Sequence, residues 1–257
     1  MNGPAAPQWR FTLAAATDRG LVRDENQDVA LADGWCSTTD RAFHDLAFTL
    51  SRAISCAVID GMGGHRGGAL AAFLTAHVLG PRLADILDAE SSDALAQRTH
   101  EFVSDAGDAL GTPRMGAAFA ALVIGPDGYQ IANVGDCRVY RATEGVLGLL
   151  SVDDVGMSRA DPARQVLTQS IGGGGRQQLD SHWFAGSWVP GARHRFLLAS
   201  DGLAVVDMAT VTAIAQRRDI RSVASGLIRA THEAGAPDNV TVIVVEVAPF
   251  DEDAGAR

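Results

Sequence analysis

One stretch constrains this chain more than any other: a short apolar run that meets an aspartate and then gives way to almost bare backbone. Residues 57–68 read Ala-Val-Ile-Asp-Gly-Met-Gly-Gly-His-Arg-Gly-Gly. The run over 53–59 has the apolar content of a buried strand, and it ends at Asp60. Five glycines fall in the eight positions that follow. Gly61 permits a sharp turn, so that its carbonyl can face the same space as the Asp60 carboxylate. Gly63, Gly64, Gly67 and Gly68 either leave room for a bulky phosphate or form a flexible turn into a helix, and both readings stay open.

The same setting recurs twice. Asp201 follows an apolar run over 195–199, and Asp238 precedes a β-branched run over 239–247. Any one Asp-Gly or Asp-Asn pair reads as a turn. Three carboxylates at strand ends of one sheet system are a stronger pattern. Converging carboxylates repel unless a cation neutralises them, and an all-oxygen donor set selects hard ions such as Mg2+ or Mn2+ over zinc.

Composition narrows the alternatives. With 257 residues, 47% of them hydrophobic, the chain can build a sizeable core. A net charge of -10 argues against a nucleic-acid or anionic-membrane surface. All 21 basic residues are arginine. The lack of lysine excludes a Walker A loop, a protein-kinase site and a pyridoxal Schiff base. Cys36, Cys56 and Cys137 are too few and too scattered for a disulfide framework or a structural zinc site. Residues 1–10 lack the features of a signal peptide, and no apolar run is long enough to span a membrane. A soluble cytoplasmic monomer is expected.

Periodicity predicts a strand over 11–16, a loop or long hairpin over 34–52, and a helix over 66–79. A second segment starts at Pro81. A further helix is capped by Ser92 or Asp93, with Leu95, Phe102, Val103 and Leu110 on one face. His77 reads as a core residue. Strands are expected over 117–124, 129–134, 137–142 and 147–151, a loop region over 152–178, and helices over 209–216 and 221–234. The division is an N-terminal extension (1–10), one domain (11–249) and a tail (250–257).

Upstream of Asp60, Arg23 and Asp28 flank a turn. They read either as part of a solvated charged loop or as an arginine fork for phosphate beside a metal carboxylate. Taken in order, five motifs resemble those of the bacterial metal-dependent serine/threonine protein phosphatases of type 2C. They are Gly20-x-x-Arg23-x-x-Asn26-Gln27-Asp28, Asp60-Gly61-Met62-Gly63-Gly64-His65, Val134-Gly135-Asp136-x-Arg138, Ser200-Asp201-Gly202 and Asp238-Asn239-Val240-Thr241. Any one is weak; five in this order are specific, and they span nearly the whole chain.

The resemblance implies an α/β fold of the α+β type, a four-layer α-β-β-α sandwich of two antiparallel sheets flanked by helices. It implies two Mn2+ or Mg2+ ions bridged by Asp60. Asp201 and Asp238 complete one, the Gly61 carbonyl binds the other, and Asp28 acts through water. Asp136 matches a carboxylate for a weaker third ion. A hydroxide between the ions would attack phosphorus in line. Arg23 would hold the phosphate, and His65 or a water would protonate the leaving oxygen. Asn239 would orient Asp238.

The implied partners are phosphoprotein substrates and a cognate serine/threonine kinase. Two departures from the family pattern stand out, a short flap at 152–163 and a long interval at 29–52. Two other classes compete. A pseudophosphatase would bind phosphoproteins without turnover, but such proteins usually lose a carboxylate ligand and none is missing here. A phosphodiesterase or nuclease would commonly recruit histidine ligands, and its substrate suits this negative charge poorly.

Overall fold

The computed structural model describes residues 9–49, 52–62, 67–86, 88–158, 165–175 and 177–250. The strands are β1 (Trp9–Asp18), β2 (Asp28–Ala32), β3 (Trp35–Cys36), β4 (Arg41–Thr49), β5 (Ile54–Met62), β6 (Gly116–Ile124), β7 (Gly128–Val134), β8 (Arg138–Thr143), β9 (Val146–Leu149), β10 (Val155–Met157), β11 (Gln165–Leu167), β12 (Ile171–Gly172), β13 (His182–Ser187), β14 (His194–Ala199) and β15 (Val240–Pro249). The helices are α1 (Gly68–Leu79), α2 (Ala89–Leu110), α3 (Met208–Ala215) and α4 (Ile220–Glu233), with 3-10 turns at Gly80–Asp85 and Asp201–Val205.

Two antiparallel sheets carry the fold. One runs β4-β1-β15-β14-β8-β9; the other runs β13-β7-β6-β5-β2-β3, with β12 added to β6. Their inner faces meet in a core that includes Phe11, Leu13, Val58, Leu122, Phe196, Ile243 and Val245. Helices α1 and α2 cover the outer face of the second sheet, over Ile59, Phe119 and Val123. Helices α3 and α4 cover the outer face of the first, over Leu197, Val242 and Val244. This is the expected α-β-β-α sandwich.

The layering explains why the central strands read as unbroken apolar runs. In β15, Ile243, Val245 and Val247 face the inter-sheet core, while Val240, Val242 and Val244 face the helices. A strand buried on both faces needs no polar alternation.

Several expectations are corrected. The strand before the glycines does not stop at Asp60; β5 continues through Gly61 to Met62, paired with β6. The loop or long hairpin expected over 34–52 contains β3, which pairs with β2, and β4, which lies along β1 over its full length. Its period-two side chains Leu46 and Phe48 pack on the inter-sheet core, and Trp35 stacks on His44 at 4.6 Å. The loop over 152–178 contains the β10–β11 hairpin and β12.

Helix α2 starts earlier than expected. Asp88 caps it, accepting from the Ser91 N–H at 2.8 Å, while the Ser91 hydroxyl accepts from the Asp88 N–H at 3.0 Å. Its buried face carries Leu95, Thr99, His100 and Val103, whereas Phe102 and Leu110 are exposed. His77 is exposed too, not a core residue.

Phe196 is fully buried between the sheets. Phe196→Ala is expected to cost about 3–5 kcal/mol, whereas Phe102→Ala on the exposed side of α2 should cost under about 1 kcal/mol. Chemical denaturation midpoints of the two variants check the layer assignment.

Candidate active site

The acidic residues arrive from strand ends of both sheets. Asp60 lies in β5 directly opposite Asp28 in β2. Asp201 follows β14 and Asp238 precedes β15. Asp136 sits in the turn between β7 and β8. Asp60, Gly61, Asp136, Asp201, Asp238 and Arg23 line one cleft of about 890 Å³. Asp28 is buried beside it.

Two glycines make this junction possible. A Cβ on Gly61 would run into the Gly68 and Gln27 carbonyls, and a Cβ on Gly68 would run into the Gln27 side chain. The bareness of these two positions therefore serves close chain packing at the start of α1. Gly63, Gly64, His65 and Arg66 lie outside the described residues, and with them the expected role of His65.

The electrostatics are strongly unfavourable for anions. Burial pushes the Asp28 carboxyl up to about 7; hydrogen bonds from Ser200 and Thr241 oppose the rise, and the charges of Asp201 and Asp238 add to it. Burial, then the charges of Asp28, Asp201 and Asp136, hold Asp60 well above the ordinary carboxylate range. Burial and then Asp201 push Asp136 up to about 6. Burial also raises Asp201, against a hydrogen bond from Asp60. At the mouth Arg23 offsets this, bonded to Asp238 at 2.5 Å, and the charge of Arg138 also lowers Asp136 and Asp201. Arg138 is committed to Asp153, with contacts of 3.0 and 2.6 Å.

Five carboxylates gather at this site among the described residues, and hard divalent cations would neutralise them. Among the described residues no three acidic, histidine or cysteine side chains stand close enough to enclose a single ion. The donors that line the cleft are oxygens, which suit hard divalent cations such as Mn2+ or Mg2+.

Other side chains fasten the loops around these carboxylates. Asn239 was expected to orient Asp238, but only its backbone N–H reaches that carboxylate, at 2.9 Å. Its side chain instead holds the Arg23 loop: Oδ1 accepts from the Gln27 N–H at 2.9 Å, and Nδ2 donates to the Arg19 and Glu25 carbonyls at 2.8 and 2.9 Å. Asp40, at the entry to β4, bears on the same loop by accepting from the Asn26 N–H at 3.2 Å. The buried Asp154 accepts from the Gly135 N–H, Gln169 and His182, each at 2.9 Å, and so joins the Asp136 turn to the hairpin wall. The Ser200 hydroxyl donates to Asp28 at 2.7 Å.

The sequence matches the protein phosphatase 2C profile over residues 37–240. The chain belongs to the protein phosphatase 2C family. A similar family member is the serine/threonine protein phosphatase PstP of Mycobacterium tuberculosis, 26% identical over 255 residues; the match spans 93% of this chain but 45% of that protein's length. The serine/threonine phosphatase stp of Listeria monocytogenes serovar 1/2a is 28% identical, over 90% of this chain and 93% of that one. Among solved members of the 2C fold, the phosphatase MsPP of Mycobacterium smegmatis, in complex with cacodylate, aligns with a TM-score of 0.70 at 28% identity, covering 91% of this chain and 97% of that one. The catalytic domain of PstP in complex with two manganese ions aligns with a TM-score of 0.73 at 24% identity, covering 93% and 99%.

The raised carboxyls set a pH dependence for this 2C domain without metal. A carboxyl that holds its proton more tightly in the folded than in the unfolded chain stabilises the fold at low pH. That contribution is lost as pH rises through its folded value. Stability in EDTA should therefore fall between about pH 4 and about pH 7, the span over which Asp28 and Asp136 are displaced. Melting temperatures in EDTA should be lower at pH 8 than at pH 5, and Mn2+ should raise them more at pH 8. A metal-free melting temperature that climbs over this range would contradict the carboxylate geometry.

Proposed function

We propose that the chain hydrolyses phosphoserine and phosphothreonine in proteins, using two Mn2+ or Mg2+ ions, and opposes a bacterial serine/threonine kinase. The observation that carries this reading is the convergence of Asp60, Asp136, Asp201 and Asp238 on one cleft beside Arg23. Membership of the 2C family and the manganese-bound relative support it.

In this reading Asp60, Asp201, Asp238 and the Gly61 carbonyl would hold the two ions together with water, Asp28 would support them through water, and Asp136 would hold a weaker third ion. When bound, the ions supply charge neutralisation and an activated water. The chain's residues do the rest. Arg23, half exposed at the mouth, offers a planar pair of donors to the phosphate oxygens. The Ser200 hydroxyl fixes the Asp28 carboxylate within the site. Asn239 holds the backbone of the Arg23 loop, so the guanidinium is presented from a fixed base. Protonation of the leaving oxygen falls to water or to His65.

The test is phosphate release from a phosphothreonine peptide with Mn2+, then with excess EDTA. Asp60→Ala, Asp201→Ala and Asp238→Ala should each lower kcat by at least about 10²-fold, as for loss of a major electrostatic stabiliser. Arg23→Ala should mainly raise KM, by about tenfold for the loss of a charged hydrogen bond. A folded protein that binds the peptide but releases no phosphate with either metal would instead be a non-catalytic phosphoprotein binder.

A further inference from the structure

One wall of the cleft is a run of glycines, Gly172 to Gly175, and an ionisable side chain from α2 reaches into its back. Gly172, Gly173 and Gly174 have φ values of 70°, 84° and 89°, a left-handed run that side-chain-bearing residues rarely adopt. Such a run has little conformational preference of its own, so something else must hold it. The Gly173 N–H donates to the Met115 carbonyl at 2.8 Å. The larger hold comes from His100, which is 1% exposed.

The ring of His100 spans the wall. The Gly172 N–H lies 3.1 Å from Nδ1, and Nε2 lies 2.8 Å from the Gly175 carbonyl. An N–H directed at Nδ1 requires a lone pair there, so the hydrogen sits on Nε2 and is donated to Gly175. In this tautomer one ring clamps both ends of the glycine run. The Ser170 carbonyl, 3.2 Å from the same Nδ1, then receives no proton from the ring.

Two neighbours on the same helix extend the hold. The Gln97 side-chain carbonyl accepts from the Leu179 N–H at 3.0 Å, and Asp93 accepts from the Ser181 N–H at 2.8 Å. Thus α2 runs as a rail behind the segment that includes the glycine wall. The wall itself adjoins Met62, two residues beyond Asp60.

We propose that His100 is a positioning residue: through Gly172 and Gly175 it fixes the wall along which the polypeptide flanking a phosphorylated residue lies. The inference rests on the phosphatase reading above. A phosphate on a small aryl group needs only the carboxylate cluster and Arg23. An extended peptide needs the wall as well, so His100 should govern peptide recognition and leave the chemistry alone.

The experiment compares wild type, His100→Ala and His100→Gln on a phosphothreonine peptide and on p-nitrophenyl phosphate, both with Mn2+. Amide exchange of residues 170–175 is followed in parallel. Losing the clamp should raise the peptide KM of His100→Ala by about threefold to tenfold, as for one or two neutral hydrogen bonds. Its kcat, and both constants for the aryl phosphate, should stay near wild type, while the Gly172 amide loses protection. The glutamine amide carries one acceptor and one donor, so His100→Gln should recover part of the peptide KM.

Equal losses on both substrates, or no change on either, would overturn the assignment. If wild type turns over neither substrate, the phosphatase reading falls by itself. Exchange then decides the clamp: unchanged protection at Gly172 in His100→Ala overturns it.

Discussion

Asp28 and Asp60 face each other across adjacent antiparallel strands, Asp28 buried and Asp60 half-buried at the cleft. Like charges directly opposite in a sheet are destabilising, and burial multiplies the penalty. No local strand preference would place them there. The sandwich imposes the pairing, because β2 and β5 are locked in register by side chains on both of their faces. The inter-sheet core takes Ala30, Ala32 and Val58, while the helical layer takes Val29, Leu31 and Ile59. A slip of one residue would turn every one of these to the wrong layer. The fold's apolar packing therefore holds a polar arrangement that is unfavourable in itself.

The first sheet adds Asp201 and Asp238 at low cost to its own packing. Asp201 and Asp238 lie just outside β14 and β15, where the backbone leaves the sheet and the side chain meets the cleft. Asp136 occupies the corresponding turn after β7. Each is exposed enough to reach an ion, yet each sits close enough to the core for burial to lead the rise of Asp136 and Asp201. Raised carboxyls gathered in one cleft are the electrostatic pattern that functional sites share.

Much of this was legible in the sequence. The doubly buried strands announce themselves as unbroken apolar runs, and the aspartates at their ends announce themselves by the turn residues beside them. The failures have physical reasons. Strand β4 mixes Arg41, His44 and Asp45 with Leu46 and Phe48, as an edge strand with one half-wet face can, and so its alternation is faint. The cap at Asp88 lies before the first apolar position of α2, and Ser92 and Asp93, which look like caps, are engaged with Ser181 instead. Phe102 and Leu110 carry apolar character without burial, because the buried stripe of α2 uses the smaller Thr99, Ala96 and Gly107 to bring the helix close to its sheet.

The least legible residues are those that shape the cleft without touching its centre. Three walls surround the carboxylates, and each is fastened by polar side chains from the scaffold. Asn239 fastens the Arg23 loop, Asp154 fastens the hairpin to the Asp136 turn, and His100 fastens the glycine run. Asn239 and His100 bond to backbone groups, so their partners can vary in side chain without breaking the contact, and they leave no pair of complementary residues for a sequence reading to find. Asp154 bonds the Gly135 N–H and the side chains of Gln169 and His182, partners far from it in sequence. The walls are loops, with few apolar contacts of their own, and loops set precise geometry only when their backbone groups are tied down. The stability of the sandwich is thus passed to the site through a few buried polar groups, each of which would be costly to leave unpartnered.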